Sequence, residues 1–131
     1  MTEKMFKVAV CGAHMKGLPL NSQLTNLGGE FVIATKTAPH YKLYKLHGFT
    51  PERPGLLRVN KNGTAIELEV WQLPIAHYGN FVAGIPAPLG FGTLTLDDGS
   101  LVNGFMCEAY ATENASDVSN LGGWRAYLTS K

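Results

Sequence analysis

An α+β fold, drawn as a small mixed β-barrel with short flanking helices, is predicted by three features of the sequence. About seven short β-rich segments are interspersed with two or three short helical ones, and the two kinds do not alternate as they would in a parallel α/β chain. Fifteen glycines and seven prolines punctuate 131 residues, so no element is long. Apolar residues make up 45% of the chain, which suits one core of ordinary domain size and excludes disorder. Residues 1–131 are therefore read as a single domain.

Phe6-Lys7-Val8-Ala9-Val10-Cys11 is almost wholly apolar, as a central strand is. Gly12 and Gly17-Leu18-Pro19 bracket a loop behind it, and Asn21 to Leu27 has a capping residue at its start and Gly28-Gly29 at its end, which predicts a short helix. Phe31–Lys36 and Tyr41–Leu46 read as strands separated by Pro39. Leu56–Val59 runs into Asn60-Lys61-Asn62-Gly63, a hairpin signal, and Ala65–Trp71 follows. Its alternation puts Ile66, Leu68 and Val70 on one face and Glu67, Glu69 and Trp71 on the other. Pro74–Ala83 predicts a helix with proline in its first turn. Gly84 to Gly90, with two prolines, predicts a rigid loop. Gly92–Leu96 and Leu101–Ala109 form a hairpin across Asp97-Asp98-Gly99. Asp117–Tyr127 predicts a terminal helix, although Gly122-Gly123 inside it costs about 2 kcal/mol of intrinsic propensity.

Charge narrows the function. Eleven Lys and Arg against ten Asp and Glu leave a net charge of +1, which excludes a broadly basic nucleic-acid surface and an acidic tail while allowing a local anion site. Cys11 and Cys107 lie in apolar segments and read as buried reduced thiols, with a disulfide as the alternative; two cysteines do not make a structural zinc site. The start, MTEKMFKVAV, is not a signal peptide and no long apolar run follows, so the expected location is cytoplasmic, with no membrane partner.

The chemistry concentrates in Gly12-Ala13-His14-Met15-Lys16-Gly17-Leu18-Pro19-Leu20-Asn21. A loop that leaves a buried strand and enters a helix can turn backbone N–H groups onto an anion, and His14 can move a proton near neutral pH. The same pattern also fits a plain connection, and the phosphate-loop spacing is missing. Glu69 is an acid, a base or a holder of His14 if its strand face lines a cavity; the alternative is a solvated face, the better reading for Glu67. His40, His47 and His77 are isolated, without the spacing of a metal site, so neither metal nor cofactor is expected. Trp124-Arg125 reads as packing with a cation at a helix end. Ser22 and Ser119 lack the strained elbow of a serine hydrolase.

The segments GAHMKGLPLNSQL, TKTAPHYKLYKL, AIELEVWQLP, FVAGIPAPLGFGTLTLDDG, NGFMCEA and LGGWRAYL are read together, within a stretch from about Phe6 to Leu128. In that order they closely resemble the C-terminal domain of allophanate hydrolase. The resemblance implies a fold of the gamma-glutamylcyclotransferase-like group. It also implies a place beside an amidase of the Ser–Ser–Lys type, whose product N-carboxycarbamate the C-terminal domain is thought to decarboxylate. Nothing here resembles the amidase signature, so the chain is read as that domain standing alone.

On this resemblance the backbone N–H groups of Gly12, Ala13, Met15 and Leu20 and the Asn21 amide would receive the carboxylates. His14 would give the proton, Tyr41 would add a hydroxyl donor, and Glu69 would orient His14 or relay the proton. The expected partners are a small carboxylated substrate or metabolite, and a homodimer mate or an amidase domain. Two alternatives stand beside this reading. One is a non-catalytic carboxylate-binding or amidase-partner module. The other is a gamma-glutamyl cyclotransferase, whose catalytic carboxylate would fall in Asn80–Pro86, a stretch without Glu or Asp.

Overall fold

The computed structural model describes residues 4–131. Residues 1–3, the start of the expected 1–131 domain and of the segment read as no signal peptide, lie outside the described residues. Among the described residues eight strands form two sheets: β1 (Met5–Val10), β2 (Glu30–Lys36), β3 (Tyr41–Lys45), β4 (Pro54–Arg58), β5 (Glu67–Pro74), β6 (Leu89–Thr95), β7 (Leu101–Cys107) and β8 (Ser116–Asp117). The helices are α1 (Ser22–Thr25), α2 (Ile75–Ala83) and α3 (Trp124–Thr129).

The larger sheet has the order β2-β5-β1-β7-β6, and the smaller one the order β4-β3-β8. β1 is central, as its apolar composition requires. It runs antiparallel to β5, with Val8 opposite Trp71, and parallel to β7, with Ala9 opposite Gly104. The fold is thus α+β with a mixed sheet. The barrel, however, is not closed. The edge strands β2 and β6 meet only at their last residues and just beyond, at the Thr37–Leu96 bridge and its neighbouring bonds Ala38 N–H to Thr95 O (2.9 Å) and Asp97 N–H to Lys36 O (3.0 Å). A bulge between Phe31 and Ile33 bends β2, and the chain then leaves to build the second sheet.

One core fills the space between the sheets. Val8, Val10, Tyr41, Leu43, Leu56, Leu68, Leu73, Leu94 and Trp124 are all buried. Each such Leu or Val contributes about 1.5–3 kcal/mol relative to an exposed position. β5 corrects the alternation read from the sequence. Glu67 is exposed, but Leu68, Glu69, Val70 and Trp71 are all buried, because the sheet is covered on both faces here.

The terminal helix is also shorter than predicted. Gly122 adopts φ +86°, a left-handed turn that ends the Ser119–Leu121 3-10 turn and lets α3 start at Trp124. β6 begins at Leu89, so the tail of the predicted Gly84–Gly90 loop is strand.

Gly104 shows how closely β7 lies on β1. A Cβ there would sit 2.7 Å from the Ala9 carbonyl oxygen, 2.7 Å from Leu94 Cδ1 and 2.8 Å from the Ala9 Cβ. Backbone cannot give way as a flexible side chain can. Gly104→Ala is therefore expected to cost about 2 kcal/mol, read as a lower urea midpoint with an unchanged m value.

Candidate functional site

β1 delivers the chain into a turn-rich loop whose internal bonds define its shape. Met15 N–H donates to Gly12 O (3.0 Å), Leu18 N–H to Met15 O (3.0 Å) and Leu20 N–H to Ala13 O (2.8 Å). The Asn21 amide donates to His14 O (2.8 Å), which ties the start of α1 back onto the loop. Gly12 is required for close approach: a Cβ at this position would lie 2.4 and 2.7 Å from Cδ and Cγ of Pro54. The loop on the larger sheet thereby meets the first residue of β4 in the smaller sheet, and Arg53 arrives beside it.

The cleft at this junction is lined by Cys11, Gly12, Ala13, His14, Arg53, Pro54, Leu89 and Phe105, and has a cavity volume of about 20 Å³ beneath an open mouth. Two kinds of unpaired donor are found here. The consecutive N–H groups of Gly12, Ala13 and His14 have no acceptor among the described residues. Arg53 Nε is buried and likewise without a partner among them. Its guanidinium lies over the Phe49 ring, 5.3 Å from the centroid.

His14 is 4% exposed. Its ring stacks on Phe105 (4.9 Å between centroids, 26° between planes) and meets the edge of Phe81 (5.5 Å, 84°). Nε2–H donates to Gln23 Oε1 at 2.8 Å, which leaves Nδ1 as the basic nitrogen. Burial lowers its pKa to about 4; Gln23 opposes the shift and the charge of Arg53 adds to it. The imidazole is therefore neutral at pH 7. Burial drives the Cys11 thiol the other way, up to about 12, and Cys107 up to about 11; both are free, buried and protonated.

The structure divides the sequence-derived candidates. Gly12, Ala13 and His14 share the cleft. Met15 and Leu20 do not offer free N–H groups, since the loop uses both internally, and the Asn21 amide is held by His14 O. Tyr41 is fully buried in β3 and outside the cleft lining. Its hydroxyl accepts Thr95 N–H (3.0 Å) and Arg58 Nη1 (3.3 Å), joining the two sheets.

Glu69 bonds to neither ring nitrogen of His14. Its Oε1 accepts Lys16 N–H (2.8 Å) and the Trp71 indole N–H (3.0 Å), and its Oε2 accepts Arg125 Nη2 (2.8 Å). Burial pushes the Glu69 carboxyl up, but Lys16 N–H, the Trp71 indole and Arg125 outweigh it and hold it below the ordinary carboxylate range. It is an ionised acceptor at pH 7. Arg53 is the residue that sequence reasoning missed, because only the contact of Gly12 with Pro54 brings it to the loop. Among the described residues no group of three His, Cys, Asp or Glu could hold a metal, and no helix is long and apolar enough to cross a membrane.

Comparison with known proteins places this geometry in context. The profile of the allophanate hydrolase C-terminal domain matches residues 6–129. Urea amidolyase of Saccharomyces cerevisiae is 42% identical over 126 residues, covering 93% of this chain and 7% of that protein. The chain thus spans a small fraction of the curated relatives it matches. Among solved structures, Kluyveromyces lactis allophanate hydrolase superposes with a TM-score of 0.93 at 39% identity, over 97% of this chain and 21% of that one. A uropathogenic Escherichia coli-specific protein superposes with a TM-score of 0.89 at 37% identity, over 98% of each chain. A gamma-glutamyl cyclotransferase, at 12% identity and a TM-score of 0.56, shares the fold over 87% of this chain and 70% of its own.

Proposed function

Because the chain belongs to the allophanate hydrolase C-terminal domain family, we propose that its Gly12–His14 cleft binds a small dicarboxylate and promotes decarboxylation of N-carboxycarbamate during urea and allophanate degradation. The observation that carries this reading is that three successive residues whose N–H groups have no acceptor among the described residues line one cleft with Arg53, whose Nε is buried and unpaired. A buried donor without an acceptor is costly, and an anion removes that cost. One carboxylate takes the N–H groups and the other faces the guanidinium, a pairing that suits a short dianion. The relatives are named urea amidolyase and allophanate hydrolase, so an amidase domain is the expected source of the substrate.

His14 supplies the proton. Burial keeps it neutral alone, but a dianion beside the ring favours the imidazolium, so binding takes up a proton at Nδ1. As the C–N bond to the departing carboxylate breaks, its electron pair moves to nitrogen and carbon dioxide leaves. The imidazolium proton completes a carbamate. The oriented N–H groups hold the remaining carboxylate throughout.

Two measurements test this. Malonate titrated calorimetrically should bind, and bind tighter as the pH falls from 7 to 6, where it is still largely a dianion. Carbon dioxide release from N-carboxycarbamate, generated in situ by an amidase domain, should exceed the spontaneous rate with wild type and fall to it with His14→Ala. Failure of malonate to bind would overturn the site. Binding without acceleration would favour the second reading, a carboxylate-binding module, which the neutrality of His14 supports.

A further inference from the structure

The cleft loop has few polar anchors outside itself. Residues 12–21 bond to one another and to α1, through His14 to Gln23 and the first turn of the helix. Beyond that, their polar links to the rest of the described fold all pass through the backbone of Lys16. Lys16 N–H donates to Glu69 Oε1 at 2.8 Å, and Lys16 O accepts Arg125 Nη2 at 2.7 Å. The same Arg125 nitrogen donates to Glu69 Oε2 at 2.8 Å, so one ion pair grips both polar backbone atoms of a single residue. The Trp71 indole fixes the carboxylate from a third side (3.0 Å). The acidic member is on β5 and the basic member on α3, which follows the Gly122 turn near the end of the chain.

Resting on the cleft's reading as a carboxylate site, we infer that Glu69 and Arg125 are positioning residues that hold the loop so that the Gly12, Ala13 and His14 N–H groups converge. Lys16 directly follows the Gly12–Met15 turn, which the Met15 N–H to Gly12 O bond closes around Ala13 and His14. A shift at Lys16 therefore carries to the donors as a rigid displacement. The pair is placed to control aim more than fold. Arg125 is 43% exposed at its side chain, so its ion pair adds little to global stability, whereas a misaim of about 1 Å is expensive for a site built from directed N–H groups. The exposed end of this link sits beside a second cleft, lined by Met15, Lys36, Glu67, Glu69, Trp124 and Arg125.

The test compares Arg125→Ala, Arg125→Lys and Glu69→Gln. Malonate affinity is measured by calorimetry, and the amide signals of residues 12–16 by NMR. Arg125→Ala should weaken malonate about five- to tenfold, move the Gly12–His14 amide shifts, and speed exchange of the Lys16 amide, with little change in the urea midpoint. Lysine can donate to both acceptors through one nitrogen, so Arg125→Lys should recover most of the affinity. Glu69→Gln should match Arg125→Ala in malonate affinity and amide shifts, because it keeps an acceptor for Lys16 but loses the charge that holds Arg125, with a larger fall in the urea midpoint because Glu69 is buried. Unmoved Gly12–His14 amides in Arg125→Ala would overturn the inference whether or not malonate binds. Absent binding by the wild type would overturn the carboxylate reading alone, leaving the amide signals to judge the clamp.

Discussion

Arg53→Gln is expected to weaken malonate binding by about a hundredfold at pH 7. Arg53 combines three properties that make such a loss large. Its Nε is buried without an acceptor, its guanidinium is held over the Phe49 ring, and it lies in the cleft with the free N–H groups of Gly12–His14. Removing one partner of a desolvated charge pair costs roughly 2–5 kcal/mol, and a hundredfold is about 2.7 kcal/mol. Glutamine keeps some hydrogen-bonding capacity but no charge, so the loss should fall on the second carboxylate. Acetate, with one carboxylate, should lose much less. Arg53→Lys restores a point charge without the planar fork and should recover only part of the affinity. Wild-type affinity in Arg53→Gln would place the dianion elsewhere.

The wild-type protein is expected to lose about 3 kcal/mol of stability to His14 alone as the pH falls from about 6.5 to about 4. The ring has an ordinary value of 6.5 and a folded value of about 4, set first by burial. Between these values the unfolded chain binds more protons than the folded one, so stability falls as the pH falls. The contribution is complete above 6.5 and lost below the folded value. The 2.5-unit difference corresponds to about 3 kcal/mol at 1.36 kcal/mol per unit.

The measurement is the urea midpoint at half-unit steps from pH 7.5 to 4.5. The lowered carboxyls of Glu52, Glu69, Asp98 and Asp117 begin to cost stability only as the unfolded chain nears their ordinary values of 4.5 and 3.8, at the foot of this range, so histidine dominates the rest of it. His14→Gln should flatten the curve over that interval. An equal slope in the variant would show that the ring is not held neutral. Saturating malonate should also flatten it, since the dianion favours the charged ring.

The parts of this protein that were legible in its sequence are those written locally. The apolar β1 followed by Gly-Ala-His-Met-Lys-Gly marks a loop after a buried strand, and Gly12, Ala13 and His14 do meet in one cleft. What local pattern could not show is what arrives from elsewhere. Arg53 sits between two prolines with no periodicity to mark it, and reaches the loop because Gly12 admits Pro54. Glu69 and Arg125 are 56 positions apart and meet through the backbone of Lys16. Strict alternation in β5 suggested a wet face, yet Glu69 and Trp71 are buried because the fold covers that face as well. The Asp117–Tyr127 helix was overextended because the left-handed turn at Gly122 outweighs the flanking helical tendency.

The contact of Gly12 with Pro54 carries a last consequence. The amide donors hang from the large sheet and the guanidinium from the small one, so a bound dianion would straddle the seam and act as a rivet between them. Such a guest belongs only to the closed arrangement, and by mass action it would make the two halves of the molecule harder to part.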